Sequence, residues 1–177
     1  HDTERLCEEL QGNVDGLKQR YLFSAFFSSG VMMPVGYELG FRKKLHVVKT
    51  RPRDWEETGI DIRDYIRRVN RLKQAHPVLQ EESPMEILPD GNPNVLILWK
   101  GSVRTGEEAL LVLNKDLRSR QPFHADRLGD YVQAGAPLAD VSPEDPLPFL
   151  PEPFSYELRP GQGLVFLTAR DPLPEDA

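Results

Sequence analysis

The chain has 177 residues, 39% of them hydrophobic and 28% charged, which describes an ordinary soluble globular protein of one or two domains and excludes general disorder. Its formal charge of −6 leaves no basic footprint of the kind nucleic-acid binding uses to release counterions, so nucleic acid is not expected as a partner. One cysteine, Cys7, excludes an intrachain disulfide framework, and four scattered histidines without a second cysteine give no zinc pattern; neither a metal nor another cofactor is expected.

The chain opens on His1 with neither a methionine nor a signal-like segment, and is read as starting mid-protein, with the cytoplasm preferred as its location. Asn13 or Asp15 is placed to cap a helix over residues 16–28, where Leu17, Tyr21, Leu22, Ala25 and Phe26 recur at helical spacing and Phe23 and Phe27 widen the apolar face. The most apolar stretch, residues 21–37, is broken by Ser24, Ser28, Ser29, Gly30 and Pro34. It falls short of the ~20 apolar residues of a membrane span, so no membrane partner is expected. Within it, Val31 to Val35 between Gly30 and Gly36 suits a buried parallel strand, with Pro34 near its end.

Residues 41–59 are polar and basic and read as a long loop. Asp61 then caps a helix in which Ile62, Tyr65, Ile66, Val69 and Leu72 form an amphipathic stripe ending before Pro77. Past residue 80 the periodicity changes. Short strands are expected at 85–88, 95–100, 109–113, 154–158 and 163–167, separated by turn signals such as Asp90-Gly91-Asn92-Pro93, Arg104-Thr105-Gly106 and Pro160-Gly161-Gln162-Gly163. Residues 142–153, with their five prolines, read as an extended surface loop. The class is therefore α/β followed by all-β, with an antiparallel sandwich in the second half.

Several segments carry a family resemblance in a consistent order. His1-Asp2-Thr3 is similar to the His-Asp end of the seventh barrel strand in the α-amylase superfamily, glycoside hydrolase family 13. Gly36-Tyr37-Glu38-Leu39-Gly40 resembles the turn after that family's eighth strand. Tyr37-Glu38-Leu39, Arg51-Pro52-Arg53-Asp54-Trp55 and the stretch from Arg71-Leu72 through His76-Pro77 to Leu79-Gln80 look closest to bacterial maltosyltransferases that use maltose 1-phosphate. The plain His-Asp-Thr departs from what those maltosyltransferases usually carry, so transferase and hydrolase both stay open.

The resemblance implies that residues 1–80 are the C-terminal end of a (β/α)8 TIM barrel, from the end of its seventh strand to its eighth helix, and that residues 81–177 are a C-terminal antiparallel β-sandwich. It implies a retaining displacement at an anomeric carbon, which uses two carboxylates about 5 Å apart. In this family those come from the fourth and fifth strands, and a whole barrel takes ~250 residues, so the nucleophile and acid/base are expected upstream and the fragment alone is expected to be inactive.

To Asp2 the resemblance gives the role of transition-state stabiliser, and to His1 a hydrogen bond to the same sugar. Tyr37 and Glu38, at the mouth of the eighth strand, are expected either to line the substrate pocket or to hold the loop to the barrel rim. Lys44, Arg51 and Arg53 lie on the loop after that strand, where barrels frequently bind phosphate, and are the candidates for a phosphate or substrate loop. The alternative is a solvated loop paired with Asp54, Glu56 and Glu57. The partner implied is an α-1,4-glucan or maltooligosaccharide, with a sugar phosphate as a candidate donor; a non-catalytic glucan-binding module is the reading from another class. Trp55 and Trp99 are expected to pack in cores, His76 to cap its helix, and Cys7 to be inert.

Overall fold

In the computed structural model, which describes residues 4–46, 48–133 and 137–168, a single helical turn α1 (Leu6–Glu9) leads through a tight bend into α2 (Val14–Phe27). Asn13 caps α2, its Oδ1 accepting from the Gly16 amide at 2.8 Å, which settles the choice between Asn13 and Asp15. α3 (Arg63–Ala75) begins one residue later than a cap at Asp61 would give: Ile62 occupies the cap position, while Asp61 Oδ1 accepts from the Arg63 amide at 3.0 Å.

Strand β1 (Met85–Leu88), β2 (Val95–Gly101), β3 (Glu108–Asn114), β4 (Gln121–Ala125), β5 (Leu138–Asp140), β6 (Phe154–Leu158) and β7 (Gly163–Thr168) form two antiparallel sheets. The larger has the order β1-β2-β3-β7-β5 and the smaller pairs β4 with β6. β3 is buried at every position because both faces of the larger sheet are covered, so its apolar run is continuous where a one-sided strand would alternate. Leu98, Leu111, Leu113, Val165 and Leu167 face α2 and α3, meeting Leu17, Leu22, Phe26 and Val69. From the opposite face Ile97, Leu110, Val112 and Phe166 meet Phe123, Phe154 and Leu158 of the smaller sheet. The result is three layers, helices over one sheet over another, with the bend at Pro160–Gly163 carrying the chain from the smaller sheet into the larger.

The expected strand at Val31–Val35 is corrected. The segment makes no ladder, Met32 is 97% exposed and Val35 58% exposed. Pro34 has no amide hydrogen to donate, and among the described residues every strand pair is antiparallel and lies beyond residue 84, so nothing stands beside residues 31–35 to pair with them. The described part of residues 1–80 therefore consists of helices and loops, and no parallel barrel strand is found there. No described helix is long and apolar enough to cross a membrane.

Candidate functional site

The Gly36–Gly40 turn is the best-built candidate. Tyr37–Leu39 forms one 3-10 turn held between two left-handed glycines, φ 80° at Gly36 and 63° at Gly40. A Cβ on Gly36 would stand 2.0 Å from the buried Phe41 ring, so shape as well as φ demands glycine there. Tyr37 reaches back to α2, its hydroxyl donating to the Leu17 carbonyl at 2.7 Å while its ring tilts against Tyr21 with centroids 6.0 Å apart. Burial pushes this phenol well above its ordinary value, with the Tyr21 hydroxyl adding to the effect, so it remains a hydrogen-bond donor at any ordinary pH.

The Glu38 carbonyl accepts from the Ile62 amide at 2.9 Å and joins the turn to the start of α3. Its side chain differs from Tyr37: Oε2 is buried and accepts no hydrogen bond among the described residues. A buried carboxylate oxygen in that state calls for a donor. Glu38 lines a groove of about 470 Å³ with Met33, Arg63, Ile66 and Asn70.

Arg5 was not foreseen from the sequence. Its guanidinium is buried, donating to the Val35 carbonyl at 2.6 Å and the Lys43 carbonyl at 3.1 Å, on either side of the turn. Burial lowers its pKa, and the nearby carboxylates of Glu56 and Glu38 partly offset this. Arg5 thereby ties the start of α1 to the mouth of the turn. His1 and Asp2 themselves lie outside the described residues.

The basic loop does not converge on one point. Lys44 lies 4.0 Å from Glu4, and Arg51 donates to the Val48 and Thr50 carbonyls at 2.6 and 3.0 Å. Arg53 is exposed and makes no hydrogen bond or ion pair among the described residues. The acids of the loop serve its backbone: Glu56 Oε2 accepts from the Arg42 and Lys43 amides at 2.9 and 2.8 Å, and Asp54 Oδ2 from the Arg51 amide at 2.8 Å. Trp55, expected in a core, is 55% exposed with its ring tilted on Phe41 at 6.2 Å. Trp99 is buried as expected, its Nε1 donating to Glu108 at 2.5 Å. His76 occupies the C-cap position of α3 as expected, and its side chain turns elsewhere: Nδ1 meets the buried Glu107 carboxylate at 2.7 Å, a partner 31 residues away that spacing could not reveal. Among the described residues no three His, Cys, Asp or Glu side chains are grouped to hold a metal.

No family model matches the chain. A curated relative, the alpha-1,4-glucan:maltose-1-phosphate maltosyltransferase of Corynebacterium glutamicum, is 35% identical over 72 residues, covering 39% of this chain and 11% of that protein. Among solved structures, an α-amylase from Geobacillus thermoleovorans complexed with acarbose superposes on 97% of the chain with a TM-score of 0.67 at 16% identity. An Anoxybacillus α-amylase superposes on 98% with a TM-score of 0.65 at 17% identity, and the γ-CGTase of alkalophilic Bacillus clarkii on 97% with 0.64 at 16%. The chain spans 38%, 37% and 25% of those three chains respectively. The resemblance to the α-amylase superfamily thus holds in fold over nearly the whole chain, which matches the C-terminal part of those enzymes, and the sequence likeness to a maltosyltransferase agrees with it.

Proposed function

We propose that the chain is the C-terminal portion of a retaining α-glucan-acting enzyme that transfers a maltosyl unit to an α-1,4-glucan. The observation that carries the choice of transfer is the 35% identity over 72 residues to a maltose-1-phosphate maltosyltransferase. In this reading residues 1–80 complete a catalytic barrel whose nucleophile and acid/base precede His1, and residues 81–177 are the sandwich behind it. The exposed apolar run at Met32, Met33 and Val35 supports the reading, since a surface that packs against the proposed upstream barrel would be exposed when this chain is taken alone.

Asp2 would stabilise the oxocarbenium-like transition state with His1 beside it on the same sugar, and Arg5 would hold that segment against the Gly36–Gly40 turn. The unpartnered Glu38 carboxylate oxygen supports a substrate-facing role for Glu38, accepting from a sugar hydroxyl. Tyr37, whose hydroxyl is committed to Leu17, serves as the anchor of the turn behind the substrate. Of the three loop candidates, Arg53 is the one whose head group is left to meet a phosphorylated donor, while Lys44 and Arg51 already hold local partners. Hydrolysis of α-glucan is the second reading, favoured by the plain His1-Asp2-Thr3 and by the fold shared with two α-amylases.

The test uses the protein in which the proposed barrel strands precede this chain. Asp2→Asn is expected to lower kcat on α-glucan by about 10²–10³-fold, the effect of removing a transition-state electrostatic contact. Turnover within a few-fold of the unaltered protein would remove Asp2 from the chemistry. Product analysis with maltose 1-phosphate and with water as the competing acceptor separates transfer from hydrolysis.

A further inference from the structure

The Gly36–Gly40 turn satisfies its own carbonyls locally. Gly36 accepts from the Leu39 and Phe41 amides at 3.2 and 2.9 Å, Tyr37 from the Gly40 amide at 3.0 Å, Glu38 from the Ile62 amide at 2.9 Å, and Leu39 from the Thr58 hydroxyl. The carbonyls on its two flanks, Val35 and Lys43, are met differently. Among the described residues their donor is one guanidinium, that of Arg5, whose Nη2 reaches Val35 at 2.6 Å and whose Nε reaches Lys43 at 3.1 Å.

Arg5 is 8% exposed, and a guanidinium is costly to bury unless its charge and its donors are met. Glu56 and Glu38 supply opposing charge. Glu56 also grips the same segment through its backbone, accepting from the Arg42 and Lys43 amides, so Lys43 is held at its amide by Glu56 and at its carbonyl by Arg5. The Arg42 head group lies close over Gly12, where a Cβ would stand 2.3 Å from Nη2. The chain on both sides of the turn is thus fixed by charged groups far from it in sequence.

Two cations act on Glu38, and neither hydrogen-bonds it. Arg5 spends its donors on the flanking carbonyls, and Arg63 gives Nε and Nη2 to Asp61 at 2.9 and 2.5 Å. Glu38 Oε2 stays buried with no donor among the described residues. A guanidinium bonded to Glu38 would occupy that oxygen. One that holds the backbone on either side fixes where the carboxylate stands and leaves the oxygen free to accept.

We propose that Arg5 is the positioning residue of this site: by spanning Val35 and Lys43, with Glu56 on the other side of Lys43, it aims the Glu38 carboxylate at a sugar hydroxyl without itself touching the sugar. The inference rests on the substrate-facing role of Glu38 in the proposed function. No bond changes at Arg5.

The experiment is a double-mutant cycle in the protein in which the proposed barrel strands precede this chain. Arg5→Met and Glu38→Gln are each expected to lower kcat on α-glucan by about 10- to 100-fold, the range that misplacing a group at the reacting centre costs. The double variant should lose no more than either alone, because Arg5 acts through Glu38. Arg5→Lys keeps the charge but replaces a planar fork by a point donor, and is expected to recover part of the loss; it carries the cycle if Arg5→Met fails to fold. Leu110→Ala, in the core between the two sheets, loosens the fold away from the turn and should keep kcat at a temperature where circular dichroism shows every variant folded. Additive losses in the cycle, a loss in Arg5→Met with none in Glu38→Gln, unchanged turnover in both Arg5 variants, or an equal loss in Leu110→Ala would each overturn the inference. An unaltered protein that does not turn over α-glucan overturns the proposed function and this inference together, whereas full turnover without Arg5 overturns this inference alone.

Discussion

Lys73 shows how much a single side chain can do without being marked in the sequence. It projects from α3 and donates to the Ala25 carbonyl at 2.9 Å, the Ser28 carbonyl at 2.5 Å and also the Leu79 carbonyl, placing a cation at the C-terminal end of α2, where the helix dipole favours one. Lys100, fully buried in β2, lies nearby and donates to the Phe26 carbonyl at 3.4 Å. Burial, reinforced by Lys100, lowers the Lys73 ammonium from 10.5 to about 8. Between pH 8 and 10 the unfolded chain therefore holds a proton that the folded chain has released, and stability rises with pH across that window. Lys73→Met has no such term and leaves carbonyls without their donor, at a cost of about 1–3 kcal/mol at pH 7. Urea unfolding of both proteins at pH 7, 8, 9 and 10 should show the gap between them widening above pH 8. A constant or narrowing gap would mean that the ammonium is not the group that titrates.

At the scale of elements the Gly36–Gly40 turn makes the clearest demand on sequence. Gly36→Ala puts a Cβ into the left-handed region and against the Phe41 ring, and is expected to cost about 2 kcal/mol or more in denaturant unfolding. Gly30 has nothing within 4 Å of its Cβ direction, so Gly30→Ala should fall within about 0.5 kcal/mol of the unaltered chain. Equal effects from the two would remove the geometric account of the turn. This turn was legible because glycine spacing is a local signal. So were α2, α3, β1 and β6, whose periodicity or flanking turns lie within a few residues. β4 was missed: Gln121, Pro122 and His124 mask an alternating pattern in which Gln121, Phe123 and Ala125 point inward. β5 is three residues long and gives periodicity too little to act on. Residues 31–35 were misread because an apolar run announces burial, whereas Met32, Met33 and Val35 are exposed among the described residues. The candidate site divides similarly: Tyr37 and Glu38 were found by motif, whereas Arg5 acts through backbone carbonyls 30 and 38 residues away that no spacing rule connects.

For the whole molecule, the boundary near residue 80 separates two patterns in the sequence but does not separate two cores. Leu17, Leu22, Phe26 and Val69 from the helices share one cluster with Leu98, Leu111 and Val165 from the sheet. Two polar ties reinforce that contact: Gln19 donates to the Asn114 carbonyl at 2.6 Å, and Glu107 accepts from the Val78 amide at 3.2 Å while meeting His76. A chain built this way should unfold once. In a Trp55→Phe background, the fluorescence of Trp99 reports the sheet, and far-ultraviolet circular dichroism reports the α-helices, which among the described residues lie within residues 6–75. The two urea curves should coincide. Glu107→Ala, which leaves Val78 and His76 without a buried carboxylate, is expected to move both curves together to lower urea by the equivalent of about 3 kcal/mol, because the shared apolar cluster still couples the layers. Curves that separate in the unaltered chain would make residues 1–80 and 81–177 independent folding units. Curves that separate only in Glu107→Ala would show the carboxylate, and not the apolar cluster, to be what makes the layers one body.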